Sequence, residues 1–107
     1  MTEDSTLGGY FRVHERPPAF EGADGAAYSV AVYVEDHPGP DGLFGGGLLF
    51  VRWSPSGEAP AVHLETDYFA FGRTTAEVDE RVRSLTLHDV KNHLDRLIAR
   101  AQGQPPW

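Results

Sequence analysis

Within Thr86–Ala101, the residues Leu87, Val90, Leu94, Leu97, Ile98 and Ala101 fall at offsets 0, 3, 7, 10, 11 and 14. That spacing puts one apolar stripe along an α-helix, and no other stretch of the chain constrains the fold as tightly. Thr86 is placed to cap the helix, and Asp89 suits both a capping box and the positive end of the helix dipole. Arg96 and Arg100 sit toward the other end, where cations are favoured. Gly103, Pro105 and Pro106 stop the helix. Its five large aliphatic side chains stabilise by roughly 8–15 kcal/mol gross if buried, at about 1.5–3 kcal/mol each. A lone helix has nothing to bury them against, so the preceding residues must supply a face.

Alternation of apolar and polar residues predicts four strands ahead of this helix. Tyr10–Glu15 reads as the first, with Phe11 and Val13 on one side and Tyr10, Arg12 and His14 on the other. Arg16-Pro17-Pro18 ends it. Tyr28–Glu35 is the clearest: Tyr28, Val30, Val32 and Val34 alternate with Ser29, Ala31, Tyr33 and Glu35. A loop dense in turn formers, Asp36–Gly42, leads to Leu43–Trp53, whose second half is apolar on both sides. The glycines Gly45–Gly47 lack the helix and lysine of a phosphate loop. They fit a bulge, or room for a bulky neighbour such as Trp53 or a tyrosine. Ser54–Glu58 is a hairpin turn. The fourth strand is Ala61–Tyr68, and because Phe69 and Phe71 then fall on its polar side, it bulges or leaves the sheet near Asp67. A short helix over Ala76–Ser84, with Val78, Val82 and Leu85 inward, precedes the main one, although Val78, Glu80 and Val82 would also suit an edge strand.

The expected fold is therefore α+β: a four-stranded antiparallel meander with the C-terminal amphipathic helix, and the short helix before it, packed on one face. Residues 1–8 read as a flexible tail, 9–102 as a single domain and 103–107 as a C-terminal tail. The helices meet Phe11, Val13, Tyr28, Val30, Val32, Val34, Val62 and Leu64. The opposite face is left to carry Tyr10, Arg12, His14, Tyr33, Glu35, His63, Glu65 and Asp67, with one apolar row of the third strand.

Charge and composition exclude several functions. There is no cysteine, so thiol catalysis, disulfides and thiolate metal sites are ruled out. Residues 1–72 carry three bases against eleven acids, a net −8, whereas residues 73–107 carry a net +1. The acidic part repels phosphate backbones, arguing against nucleic-acid partners and in favour of a basic one. The acidic start and the shortness of the longest apolar run, Leu48–Val51, predict neither signal peptide nor membrane span, and hence a cytoplasmic protein. No sequence feature implies a cofactor.

Two constellations are candidates for function. Tyr10, Arg12, Tyr33, Phe50, Arg52 and Trp53 are the aromatic and arginine anchors expected of a protein-interaction or self-association surface, a homodimer being the simplest product. His63, Glu65 and Asp67 alternate along one strand face, about 6.5–7 Å apart in sequence steps of two. With His14 or Arg12 they compose a possible site for a divalent metal or small ligand beside the Pro38–Gly42 loop. The spacing is not a zinc signature, and a solvent-facing row of a half-buried strand is the plainer explanation. His88 and His93 lie about 140° apart around the helix and cannot share an ion. Asp89 with His93, and Lys91 with Asp95, are spaced for surface pairs. No serine sits in a nucleophile elbow, so no catalytic residue is assigned. Size and acidity also suit an inhibitor or immunity-type protein for a basic partner.

Overall fold

The computed structural model describes residues 5–53 and 60–103, and of residues 60–62 only the backbone. The element order is α1 (Leu7–His14), β1 (Ala19–Glu21), β2 (Ala27–Val34), β3 (Phe44–Trp53), β4 (Pro60–Glu65), β5 (Ala70–Gly72), α2 (Thr75–Arg83) and α3 (Leu87–Ala101). Strands β1 to β4 form an antiparallel meander in sequence order, and β5 pairs the start of β3 beyond the end of β4. The α+β class, the antiparallel sheet and the helix packed on it agree with the periodicity.

Strand register decides which residues share a face. Val30 pairs Phe50, which pairs Leu64, and Val32 pairs Leu48. These residues, with Tyr28, point toward the helices. Phe50, Leu48, Tyr28 and Val30 are all at most 2% exposed, packed with Val78 and Val82 of α2 and Val90, Leu94, Leu97 and Ile98 of α3. The alternate row, Ser29, Ala31 and Tyr33 of β2 against Val51, Leu49 and Gly47 of β3, faces away, and His63 and Glu65 join it from β4.

The main helix starts as its sequence directs, Thr86 Oγ1 accepting from Asp89 N at 3.1 Å. The α2 helix begins one residue earlier than expected, capped by Thr74, whose Oγ1 accepts from Glu77 N at 3.1 Å. Lys91 pairs Asp95 at 2.6 Å. His93 does not pair with Asp89 but stacks on Phe69, ring centroids 4.7 Å apart.

The first element differs from the expectation. Tyr10–Glu15 is not a strand; most of it lies in α1, capped by Thr6, whose Oγ1 accepts from Gly9 N at 3.0 Å. The helix is held because Leu7 is fully buried and its N–H donates to Leu85 O at 2.9 Å, while Thr6 bridges Thr86. Gly8 lies so close to α2 that an added Cβ would come within 3.0 Å of Arg83 Cβ. Phe11 then packs under the Arg83 guanidinium, 4.9 Å from ring centroid to Cζ, and Val13 is 49% exposed instead of buried. Leu7 and Gly8, expected in a tail, thus belong to the domain. The sheet's first strand is the short β1, where Phe20 pairs Tyr28.

Candidate functional site

The three helices all lie on one side of the sheet. Exposed large apolar or aromatic residues concentrate on the other. Among the described residues these are Val13, Tyr33, Trp53, Tyr68 and Phe71, and all but Val13 belong to the open face. Tyr33 and Trp53 are placed there by strand alternation. Phe71 is placed there by pairing with Gly45, and Tyr68 by lying over that glycine. Leu49 and Val51, half-buried, fill the space between. Trp53 Nε1 donates to Ser29 Oγ at 3.1 Å across the face, which ties the indole to β2. Glu21, Glu65 and Glu35 mark the edges of this surface, and His63 is the basic group it carries from β4.

The glycine run explains how the far end is built. After Glu65 the chain leaves the β4 register and returns as β5, with Phe69 N donating to Gly46 O at 3.0 Å. The intervening residues 66–69 lie directly against the strand. A Cβ on Gly45 would meet the Tyr68 ring at 2.7 Å. Thr66 Oγ1 accepts from Leu48 N at 2.9 Å. Gly45 therefore makes room for a tyrosine, while Gly46 makes room for Val78 of α2 and Gly47 for Thr66.

Tyr68 stacks on Tyr33 with centroids 5.9 Å apart and planes inclined by 19°. Both hydroxyls donate to Glu35 Oε2, from Tyr68 at 3.1 Å and from Tyr33 at 3.2 Å. His37 Nδ1 lies 3.4 Å from Glu35 Oε1 and 2.7 Å from Asp36 Oδ1. The donors, Tyr68 foremost and then His37, hold the Glu35 carboxyl down at about 2. The same contacts, with Glu35 first and Asp36 second, raise His37 above its ordinary 6.5. Tyr68 is held protonated by its bonds to Tyr33 and Glu35, with partial burial adding to the effect. Beside this cluster a groove of about 570 Å³ opens between the 36–43 loop and the sheet, walled by Leu43, Pro40, Tyr68 and Phe71.

The sequence candidates are distributed differently from the expectation. Tyr33 and Trp53 lie on the open face. Phe50 is 0% exposed and belongs to the core, so it cannot be a surface anchor. Arg52 shares the helix-side row with Tyr28, its guanidinium 3.9 Å from Asp24. Tyr10 and Arg12 are on α1, remote in topology from the open face, and His14 packs against Tyr10, ring centroids 4.2 Å apart and planes tilted by 38°. His63 and Glu65 are exposed on β4 and Asp67 lies in the bulge. Among the described residues, the group of His, Asp and Glu whose ligand atoms fall within 4.8 Å of one another is Glu35, Asp36 and His37; His63, Glu65 and Asp67 do not form one. A groove beside the Pro38–Gly42 loop does exist, but Glu35 and His37 line it instead of the β4 row. Tyr68 and Phe71 went unassigned by sequence reasoning. The signal that pointed to them was the glycine run opposite an aromatic-rich segment.

No helix among the described residues is long and apolar enough to cross a membrane. Compared with known protein families, curated proteins and solved structures, the chain matches none, so function is argued from this geometry alone.

Proposed function

We propose that this chain is a non-enzymatic interaction module that docks through the open face of its sheet, with a second copy of itself as the occupant. The supporting observation is that Tyr33, Trp53, Tyr68 and Phe71 are 37–44% exposed together on the one face the helices leave uncovered. Isolated exposed apolar residues need no explanation, but four aromatics clustered around Leu49 and Val51 do. Aromatic centres with a charged rim are the anatomy of protein interfaces. The area suits a weak dimer. Strands of 3, 8, 10, 6 and 3 residues, rising about 3.3 Å per residue and about 4.8 Å apart, give a face of roughly 450–500 Å², so two copies bury roughly 900–1,000 Å², the range of weak and transient contacts.

The rim sets the sign of the salt effect. Glu21, Glu35 and Glu65 face outward, and two copies bring like charges together. Self-association then tightens as salt is added, because screening removes repulsion while the apolar contact remains. The same acidic rim favours a second reading, a different protein with an apolar centre and a basic rim, whose binding weakens with salt. Sedimentation velocity on the full chain, from micromolar to near-millimolar concentration at low and high salt, separates the two. A concentration-dependent dimer that is stronger at high salt is expected. A strict monomer under every condition contradicts the second-copy reading.

A further inference from the structure

We propose that the groove between the 36–43 loop and the edge of the sheet is a binding site for an arginine side chain presented by a peptide. This goes beyond self-association and requires only the monomer.

Its walls are apolar and its end is anionic. Phe71 and Tyr68 are 44% and 41% exposed, and with Leu43 and Pro40 they form a slot able to cover an aliphatic stem and a flat head. Glu35 closes one end. Its Oε2 is occupied by the two tyrosine hydroxyls, whereas its Oε1 meets the exposed His37 at 3.4 Å, with Asp36 close by. The His37 side chain is 83% exposed and bonds Asp36 more closely, at 2.7 Å, so it can turn away without breaking anything buried. Asp41 also borders the groove, its Oδ1 fixed by Leu43 N at 3.0 Å. The charge is complementary to a cation, and the apolar walls exclude a small hydrated ion as the best occupant.

The shape selects among cations. Tyr33 and Tyr68 are inclined by only 19° and turn their hydroxyls onto Glu35. They do not form the boxed aromatic faces that surround a quaternary ammonium. A guanidinium is flat and weakly hydrated. It stacks on an aromatic ring while its N–H edge reaches a carboxylate, which an ammonium cannot do with one orientation. Glu35 is pre-positioned for this because the tyrosine hydroxyls fix its carboxylate before any ligand arrives.

The test is a two-dimensional ¹H–¹⁵N titration of the full chain with N-acetyl-arginine methylamide, with the lysine and citrulline equivalents as controls. Expected are saturable shifts at Gly39, Gly45, Tyr68 and Phe71, with a dissociation constant on the order of 1–10 mM, as suits one charge-assisted contact with stacking. The lysine compound binds several-fold more weakly and citrulline, equal in shape but neutral, does not saturate. Glu35→Gln and Phe71→Ala each weaken binding by about tenfold. Phe71 is surface-exposed, so its variant keeps the fold even if Glu35→Gln loosens the tyrosine pair. Tyr68 and Phe71 also belong to the self-association face, so arginine binding competes with the dimer, and Ala31→Glu, which removes the dimer, keeps or tightens it. Unsaturated shifts up to tens of millimolar, or equal binding of citrulline or lysine, would overturn the assignment.

Discussion

Replacing Gly46 by alanine tests how the sheet and the helix layer are fitted together. A Cβ at this position comes 2.5 Å from Val78 Cγ1 and 2.9 Å from the carbonyl oxygen of Tyr33. Ordinary carbon contacts are about 3.5–4.0 Å, so the first must open by about 1 Å. Val78 is 0% exposed at the centre of α2, and the second obstacle is the backbone of β2, so neither can yield cheaply. Overpacking of this kind costs about 1–3 kcal/mol. Alanine recovers about 0.5–1 kcal/mol of strand propensity over glycine, leaving a net loss of about 1 kcal/mol. For a domain of this size that lowers the thermal midpoint by roughly 4–8 °C. Urea unfolding followed by circular dichroism gives the value, with an unchanged m-value confirming that the same surface is exposed. Adding Val78→Ala removes the Cγ1 obstacle, so the double variant is more stable than the sum of the single effects by about 1 kcal/mol. A Gly46→Ala variant within about 0.5 kcal/mol of the parent would refute the packing argument, as surface-like substitutions behave that way. Strict additivity with Val78→Ala would refute it too.

Three further outcomes follow from the same coordinates. Phe50→Ala, at a fully buried position, costs about 3–5 kcal/mol in urea unfolding, where a surface anchor would cost almost nothing. Thr86→Ala removes the hydroxyl that accepts from Asp89 N and costs about 1 kcal/mol, measurable in the same assay. The histidines titrate in opposite directions by NMR. His37, raised by Glu35 and Asp36, contributes stability that is complete below 6.5 and is lost as pH rises through its folded value. His93 is lowered by burial, with Arg96 adding to the effect. Its contribution is complete above 6.5 and is lost as pH falls toward its folded value. The reverse order of the two titrations would contradict the contacts assigned to both rings.

The parts of the fold legible in the sequence were those with a long, one-sided period. The α3 stripe needed no partner to be recognised, and the Tyr28–Glu35 alternation placed β2, Ala27–Val34, to within one residue at each end. That the fourth strand is left before Phe69 was also readable, because Phe69 and Phe71 fall on its polar side; the exit comes after Glu65, earlier than the Asp67 that the alternation suggested. What misled at α1 was composition. Tyr10, Phe11 and Val13 favour strands and the Gly8-Gly9 pair disfavours a helix. The helix forms because Leu7 and Phe11 pack on α2 and because Gly8 lets the two backbones approach, a tertiary reason no local window contains. The candidate site was legible in the same uneven way. Strand period placed Tyr33 and Trp53 on the open face. It also suggested Phe50 as an anchor, since a strand apolar on both sides does not say which row the helices take. The Tyr33, Glu35 and Tyr68 cluster joins a strand end to a bulge thirty-three residues away, a separation that periodicity does not span.

The central claim is that the uncovered sheet face is where this chain docks a second copy. Sedimentation of the parent beside Ala31→Glu and Glu80→Arg, at equal concentration and high salt, tests it most directly. Ala31 is exposed in the middle of that face, paired with Leu49, and Glu80 is exposed on α2 on the opposite side. The account predicts that the parent and Glu80→Arg sediment as dimers while Ala31→Glu is a monomer of unchanged thermal midpoint. A dimer that survives Ala31→Glu, or a parent that stays monomeric, would contradict it.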